Sequence, residues 1–72
     1  MKKKLKSHAA HIGPSISLDL ADISVIEEFG DRSSEAGWVD ACITLKFGKT
    51  VKIKLSIEDM DSLIADWEAL NG

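Results

Sequence analysis

Two runs of alternating apolar and polar residues, on either side of a glycine, constrain this fold more than any other feature of the sequence. The apolar members all occupy odd positions: Val39, Ala41, Ile43, Leu45, Val51, Ile53 and Leu55. A period of two is typical of a strand with one buried face, so the runs predict a β-hairpin. A three-residue loop, 46–48, with Gly48 in the left-handed conformation, keeps both apolar sets on one face. This loop exposes Phe47 at its tip, whereas a register shifted by two residues would return Phe47 to the core face.

The segment after the hairpin predicts a single amphipathic helix. Ser56 lies three residues before Asp59, an arrangement like a capping box, in which the serine hydroxyl accepts a hydrogen bond from the first helical turn. Apolar residues then recur at helical spacing and form one stripe: Met60, Leu63, Ile64, Trp67 and Leu70. We expect this stripe to pack on the apolar face of the hairpin, with Trp67 buried there.

The chain before the hairpin predicts further strands. Residues 15–20 alternate between polar and apolar, as in a strand with one buried face. Residues 23–29 are rich in β-branched side chains and are assigned to a strand. A helical stripe also fits this region, so both strand and helix remain open for residues 20–29. Residues 30–37 are polar and bounded by glycines, which predicts a loop.

These elements predict an α+β domain over residues 14–72, with a small antiparallel sheet of three or four strands and one C-terminal helix packed on one face. Residues 1–13 are assigned to a basic, mobile tail, because the glycine and proline at 13 and 14 interrupt the chain. The first eleven residues hold four lysines and no acidic residue. Residues 12–72 hold five basic and twelve acidic residues, a formal charge of −7.

The sequence offers no catalytic apparatus. The single Cys42 has no partner for an internal disulfide, and neither a paired nucleophile and base nor a glycine-rich phosphate loop is present. His8 and His11 lie three residues apart but lack a third ligand. We therefore expect a non-enzymatic protein with no cofactor and no metal. The unpaired cysteine and the lack of a membrane-length apolar run favour a cytoplasmic location without membrane contact.

Three segments resemble small flagellar FlbD-type proteins: residues 18–28 (LDLADISVIEE), 43–51 (ITLKFGKTV) and 55–60 (LSIEDM). Those proteins have a strand ending in Ile-Glu, a glycine hairpin and a Ser-x-x-Glu helix start. The chain departs from them by a longer loop at 30–37, a basic tail and an extra helical turn. The resemblance implies a β-hairpin followed by a helix. We infer no flagellar function from it, because a shared small fold does not fix function.

Protein binding is the function that the sequence favours, and two surfaces are candidates. Trp38 and Cys42 alternate onto the sheet face away from the helix, with Ile26 as a candidate neighbour and with Lys52 and Lys54 as a polar rim. The helix carries a dense acidic strip suited to a basic groove: Asp61, Asp66 and Glu68. We predict a small regulator or inhibitor that occupies a partner surface, as small phage and mobile-element inhibitors do. A homodimer joined through the sheet face that carries Trp38 is a second form of the same hypothesis.

Nucleic-acid binding is the alternative hypothesis. Six lysines of the tail and the hairpin are the candidate phosphate contacts: Lys2, Lys3, Lys4, Lys6, Lys46 and Lys49. The chain has only one arginine, however, and its lysines are not interleaved with aromatic residues in the way that stacking platforms for single strands are. Its acidic body would also repel a duplex. A nucleic-acid partner is therefore less favoured than a protein partner.

Overall fold

The computed structural model describes residues 1–8 and 13–71. In chain order the elements are β1 (Lys2–Lys6), β2 (Ser15–Asp19), a 3₁₀ turn (Leu20–Asp22), β3 (Ile23–Phe29), β4 (Trp38–Leu45), β5 (Thr50–Ser56) and α1 (Ile57–Asn71). Strands β1 and β2 form one antiparallel sheet, and β3, β4 and β5 form a second with β4 in the centre. The predicted α+β class with a C-terminal helix is confirmed.

The β4–β5 hairpin adopts one of the two registers that the sequence left open, the one with a three-residue loop. Leu45 and Lys49 flank a three-residue loop, in which the Leu45 N–H donates to the Lys49 carbonyl at 2.8 Å and the Gly48 N–H donates to the Leu45 carbonyl at 2.9 Å. Gly48 has a φ of 94°, a conformation that glycine adopts without a Cβ clash. All apolar pairs of the two strands therefore face the same side. Phe47 is 70% exposed at the tip, so the alternative register that would return it to the core face is not adopted.

Residues 20–29, which the sequence left open between strand and helix, form the 3₁₀ turn and strand β3. Strand β3 contains a β-bulge. The bulge lies between Ile23 and Val25 and inserts one extra residue opposite β4. Because side chains alternate between faces, the extra residue exchanges the two faces for the rest of the strand. Ile26 is consequently on the core side and partly buried, so the expectation that it joins Trp38 on the other face is wrong. Val25 and Phe29 occupy that other face instead.

Part of the predicted mobile tail is a strand of the fold. In the β1–β2 pair, Lys3 lies opposite Leu18 and Leu5 lies opposite Ile16. Leu5 is only 2% exposed, which corrects the domain boundary predicted at residue 14. One leucine in a run of lysines gives no periodic signal, so only its burial against other elements reveals the strand. Residues 9–12 of the predicted tail lie outside the described residues.

The hydrophobic core lies between helix α1, sheet β3–β4–β5 and the β1–β2 sheet. Its buried members come from every one of these elements: Leu5, Leu18, Leu20, Ile23, Val39, Ala41, Ile43, Leu45, Ile53, Leu55, Met60 and Leu63. The helix begins as predicted, since the Ser56 hydroxyl accepts a hydrogen bond from the Asp59 N–H at 3.1 Å. This cap fixes the point at which the chain leaves β5 and crosses the core.

The apolar stripe of α1 is fully buried only in the first half of the helix. Met60 and Leu63 are inaccessible to solvent, whereas Ile64 and Trp67 are partly buried. Leu70 is 44% exposed, so the stripe is shorter than the sequence predicts. The Trp67 Nε1 is buried, and no described residue accepts a hydrogen bond from it. An unpaired buried donor costs about 1–3 kcal/mol, which offsets part of what the ring contributes, so Met60 and Leu63 anchor the helix.

Truncation of Leu63 tests this assignment. Leu63→Ala should lower the free energy of unfolding by about 2–5 kcal/mol, because it leaves a cavity at a fully buried site. Leu70→Ala is the matched control, with an expected loss of no more than about 1 kcal/mol at an exposed site. Urea unfolding followed by tryptophan fluorescence measures both. Equal losses for the two variants would contradict the packing described for α1.

Candidate interaction surfaces

The face of sheet β3–β4–β5 turned away from α1 carries apolar residues that remain accessible to solvent. We call it the open face, and its side chains are Val25, Glu27, Phe29, Trp38, Asp40, Cys42, Thr44, Thr50, Lys52 and Lys54. Val25 is 44% exposed and Phe29 is 55% exposed, whereas Trp38 and Cys42 are partly exposed. The four sheet residues predicted to bind a partner share this face, as their alternation indicated. Sequence reasoning missed Val25 and Phe29, because their orientation depends on the bulge in β3.

Lys54 is held on the open face by two contacts within the chain. Its Nζ lies 4.3 Å from the centroid of the Trp38 ring and 2.7 Å from the Asp40 Oδ1. A cation over an aromatic ring and an ion pair at this exposure each contribute up to about 1 kcal/mol. Their structural effect is to restrict the Trp38 ring. Lys52, on the same strand, is exposed.

The acidic residues of α1 do not form one continuous strip. The Asp61 Oδ1 lies 2.7 Å from the Arg32 Nη2, and the Asp66 Oδ2 lies 2.7 Å from the Lys3 Nζ. With 3.6 residues per turn, Asp66 is about 140° around the helix from Asp61, whereas the exposed Glu68 is on the Asp61 side. Two of the three acidic residues predicted to contact a partner thus pair within the chain, and Asp66 does not share a face of the helix with the other two.

Arg32 joins the loop between β3 and β4 to the helix. Its Nε donates to the Glu28 Oε2 at 2.7 Å and its Nη2 donates to the Glu28 Oε1 at 2.6 Å, in a bidentate pair. Hydrogen bonds from Arg32 lower the pKa of both Glu28 and Asp61 below their usual values. The same bonds raise the pKa of Arg32. Because all three groups are at least partly solvent-accessible, their main effect is to orient the loop rather than to stabilise the fold strongly.

The six lysines of the nucleic-acid hypothesis occupy three different places. Lys3 turns toward the helix, where its Nζ donates to the Asp66 Oδ2 at 2.7 Å and to the Ser62 Oγ at 3.0 Å. Three exposed lysines lie on the outer side of β1, where every second residue points outward: Lys2, Lys4 and Lys6. Two further exposed lysines lie at the tip of the β4–β5 hairpin: Lys46 and Lys49. Only the β1 row forms a regular array.

A cleft separates β2 from β5 and was not predicted. Its volume is about 440 Å³, within the usual range for ligand pockets. Apolar side chains of both strands line it, among them Ile16, Leu18 and Val51, together with charged residues such as Asp19 and Lys49. Sequence reasoning missed the cleft because its two walls belong to separate sheets, whose relative placement has no periodic signature.

Comparison with protein-family models, with characterised proteins and with solved structures finds no match to this chain. Among residues 1–8 and 13–71, no three histidine, cysteine, aspartate or glutamate side chains are grouped so that they could hold a metal ion. No helix within these ranges is long and apolar enough to cross a bilayer. His11, the second histidine of the N-terminal pair, lies outside them. Function is therefore inferred from the surfaces themselves.

Replacing Arg32 should lower the melting temperature of the protein by an amount that depends on pH. At pH 7 Arg32→Met should melt at a lower temperature than the wild type, because Glu28 and Asp61 lose their hydrogen-bond donor. A carboxylate with a lowered pKa in the folded state stabilises the protein above its unfolded pKa of about 4 and loses that contribution as the pH falls further. The difference in melting temperature should therefore shrink in acid. The melting temperature of Arg32→Lys, which keeps the charge, should lie between those of the wild type and Arg32→Met.

An NMR titration of the side-chain carboxyls provides the direct measurement. The pKa of Glu28 and of Asp61 should both rise in Arg32→Met. If neither pKa changed, Arg32 would not be the cause of the lowered values.

Proposed function

We propose that this chain is a small non-enzymatic protein-interaction module, a regulator or inhibitor that occupies a partner surface, and that it binds through the open face. The supporting observation is the exposure of Val25 and Phe29 beside the partly exposed Trp38. Single exposed apolar residues are common on monomers. On one sheet face, Phe29 and Trp38 are neighbours, and Val25 lies four residues from Phe29 along β3, beyond Glu27. Several exposed apolar residues on one face are typical of interaction sites.

The geometry of the open face suits the energetics of binding. Phe29 lies directly opposite Asp40, and Trp38 precedes Asp40 by two residues in β4. The two aromatic rings are therefore diagonal neighbours. Aromatic side chains on strands lose little conformational freedom on binding, and tryptophan is among the commonest energetic anchors of interfaces. Lys54 already restrains the Trp38 ring, which reduces that entropic cost further.

A second copy of the chain is the partner that the charge pattern supports. Glu27, Cys42 and Lys52 form one row across the three strands of the open face. A two-fold axis parallel to β4 would place Glu27 of one copy opposite Lys52 of the other, twice, with the two Cys42 residues meeting at the centre. Closed two-fold symmetry and complementary charges are typical of self-associating surfaces.

The test compares two substitutions at equally exposed apolar sites. Val25→Lys, on the open face, should weaken self-association at least about tenfold, because the dimer interface would bury two unpaired charges, one from each chain. Leu70→Lys is the control, since Leu70 has the same 44% exposure but lies on the helix. Analytical ultracentrifugation of wild type and variants gives the masses and affinities. A wild type that keeps the mass of one chain at all concentrations would contradict the second-copy proposal.

Nucleic-acid binding keeps one specific observation in its favour, the row of lysines on β1. Lys2, Lys4 and Lys6 are two residues apart along an extended strand, which spaces them by about 6.6–6.8 Å. Ser17 and Ser15 lie opposite Lys4 and Lys6 on β2, so the outer face of this two-stranded ribbon presents only lysines and small polar groups there. A two-stranded ribbon is one of the elements that the major groove admits.

Salt dependence separates this alternative from protein binding. If Lys2, Lys4 and Lys6 contact phosphates, replacing all three with glutamine should reduce the slope of log affinity against log salt by about 2.7 for duplex DNA. The control replaces Lys46, Lys49 and Lys52 with glutamine, which removes the same charge from the other hairpin. Fluorescence anisotropy with labelled duplex DNA and with RNA at low salt is the measurement. Binding to neither would eliminate this alternative.

A further inference from the structure

Strand β3 is an edge strand, and β4 is its only partner strand among the described residues. In an antiparallel pair each residue directs its N–H and C=O groups to one side, and successive residues alternate. Leu45 of β4 directs its groups toward β5, because its N–H donates to the Lys49 carbonyl at 2.8 Å. The even-numbered residues of β4 therefore direct theirs toward β3, where they lie opposite Val25, Glu27 and Phe29.

Ile26 and Glu28 consequently direct their N–H and C=O groups away from β4, along the outer edge of β3. A second contact agrees with this alternation, since the N–H of Lys46, the next even-numbered residue after β4, donates to the Asp22 carbonyl at 2.7 Å. Within residues 1–8 and 13–71, no turn, loop or further strand forms a backbone hydrogen bond with Ile26 or Glu28. The backbone groups of these two residues are therefore available to an added strand.

The side chains beside this edge distinguish it from the edges of β1 and β5. Strand β1 carries exposed lysines at alternate positions, and lysines on an edge discourage strand pairing. At the β5 edge, the Lys54 carbonyl already accepts a hydrogen bond from the His8 N–H at 2.8 Å. Strand β3 contains neither lysine nor proline, and it exposes the apolar side chains of Val25 and Phe29.

The carboxylates of β3 indicate what an added strand should carry. Glu28 is on the core side, where Arg32 donates two hydrogen bonds to it at 2.7 and 2.6 Å. Glu27 is exposed on the open face between Val25 and Phe29, and it forms no ion pair within the part of the chain that the structure describes. A strand with a cation opposite Glu27 and apolar residues on either side would complement all three open-face residues.

A second copy of β3 does not supply that cation. Antiparallel pairing of the outward groups would place Ile26 opposite Ile26, Ile26 opposite Glu28, or Glu28 opposite Glu28. In these registers Glu27 lies opposite Val25, Glu27 or Phe29 of the other copy, respectively. Like charges directly opposite each other are destabilising, and an apolar residue leaves the carboxylate without a partner. The charge pattern therefore favours a different protein at this edge.

We propose that the edge of β3 binds an extended segment of another protein by strand addition, and that this segment presents an apolar–basic–apolar pattern on the side of the open face. Backbone hydrogen bonds to Ile26 and Glu28 provide affinity, and the alternate side chains provide specificity. Residues 25–29 span about 17 Å of extended chain, which matches roughly five residues of ligand. The added strand lengthens the open face and does not cover it, so this surface is distinct from the one proposed for self-association.

The probe is a blocked heptapeptide in which threonine alternates with valine, lysine and valine, added to ¹⁵N-labelled protein. Its side-chain pattern is the same in both chain directions, so either strand orientation can bind. Shifts and slowed hydrogen exchange are expected at the amides of Ile26 and Glu28. A control peptide is methylated at the backbone nitrogens of the two threonines beside the lysine. It keeps its side chains but loses the donors that face the edge, and should not bind.

Charge reversal at Glu27 is the decisive comparison. Glu27→Lys should lower the affinity for the lysine peptide by about three- to tenfold, because a pair of like charges replaces an attractive pair. The same variant should bind a peptide with glutamate in place of lysine more tightly than the wild type does. Glu68→Lys makes the same change of charge at an exposed position of the helix, and should keep the wild-type preference.

Self-association is measured without peptide, so the two proposals can fail separately. Lys52→Gln removes the residue proposed to face Glu27 across the dimer, and should weaken self-association while leaving the peptide affinity unchanged. The edge proposal is overturned by the absence of shifts at Ile26 and Glu28, by equal binding of the methylated and unmethylated peptides, or by an unchanged peptide preference in Glu27→Lys. The first two results use only wild-type protein, so they remain decisive if a variant does not fold.

Discussion

The pairing of β4 with β5 is the interaction on which the rest of this structure depends. Its register places the aliphatic side chains of the two strands on one side, where Ile43 and Leu55 are fully buried under the helix. The same register necessarily places Trp38, Cys42 and Lys52 on the other side. It also directs alternate backbone groups of β5 away from β4. One hairpin therefore defines the core, the open face and the strand edge together, because period-two geometry leaves no independent choice among them.

Charge plays a different part in the fold from the one that composition suggests. The strongly basic first strand and the acidic helix are attached to each other through Lys3 and Asp66, and the loop is attached to the helix through Arg32 and Asp61. Exposed ion pairs of this kind contribute little to stability individually. They do decide which charges remain available to a partner. Counting lysines or carboxylates along the chain overstates the binding surface, because several of them already have partners within the domain.

The side chain of Lys52 lies on the open face, and its backbone groups point away from β4. A domain of 72 residues buries a smaller fraction of its surface than a larger one does. Apolar side chains such as Phe29 and unpaired strand edges consequently remain at its surface. These are the features through which small domains gain stability from a partner.

The sequence by itself determined the elements whose signals are local. Alternation around Gly48 was sufficient for the hairpin, and Ser56 with Asp59 was sufficient for the start of the helix. The hairpin register and the exposure of Phe47 were left between two alternatives. Tertiary structure alone decided the rest: that Leu5 and its lysine neighbours form a strand, that the bulge turns Phe29 outward, and that β2 and β5 border a cleft. The physical reason is that these features depend on contacts between residues far apart in the chain. Such contacts follow from how complete elements pack on one core, and packing leaves no period in the sequence.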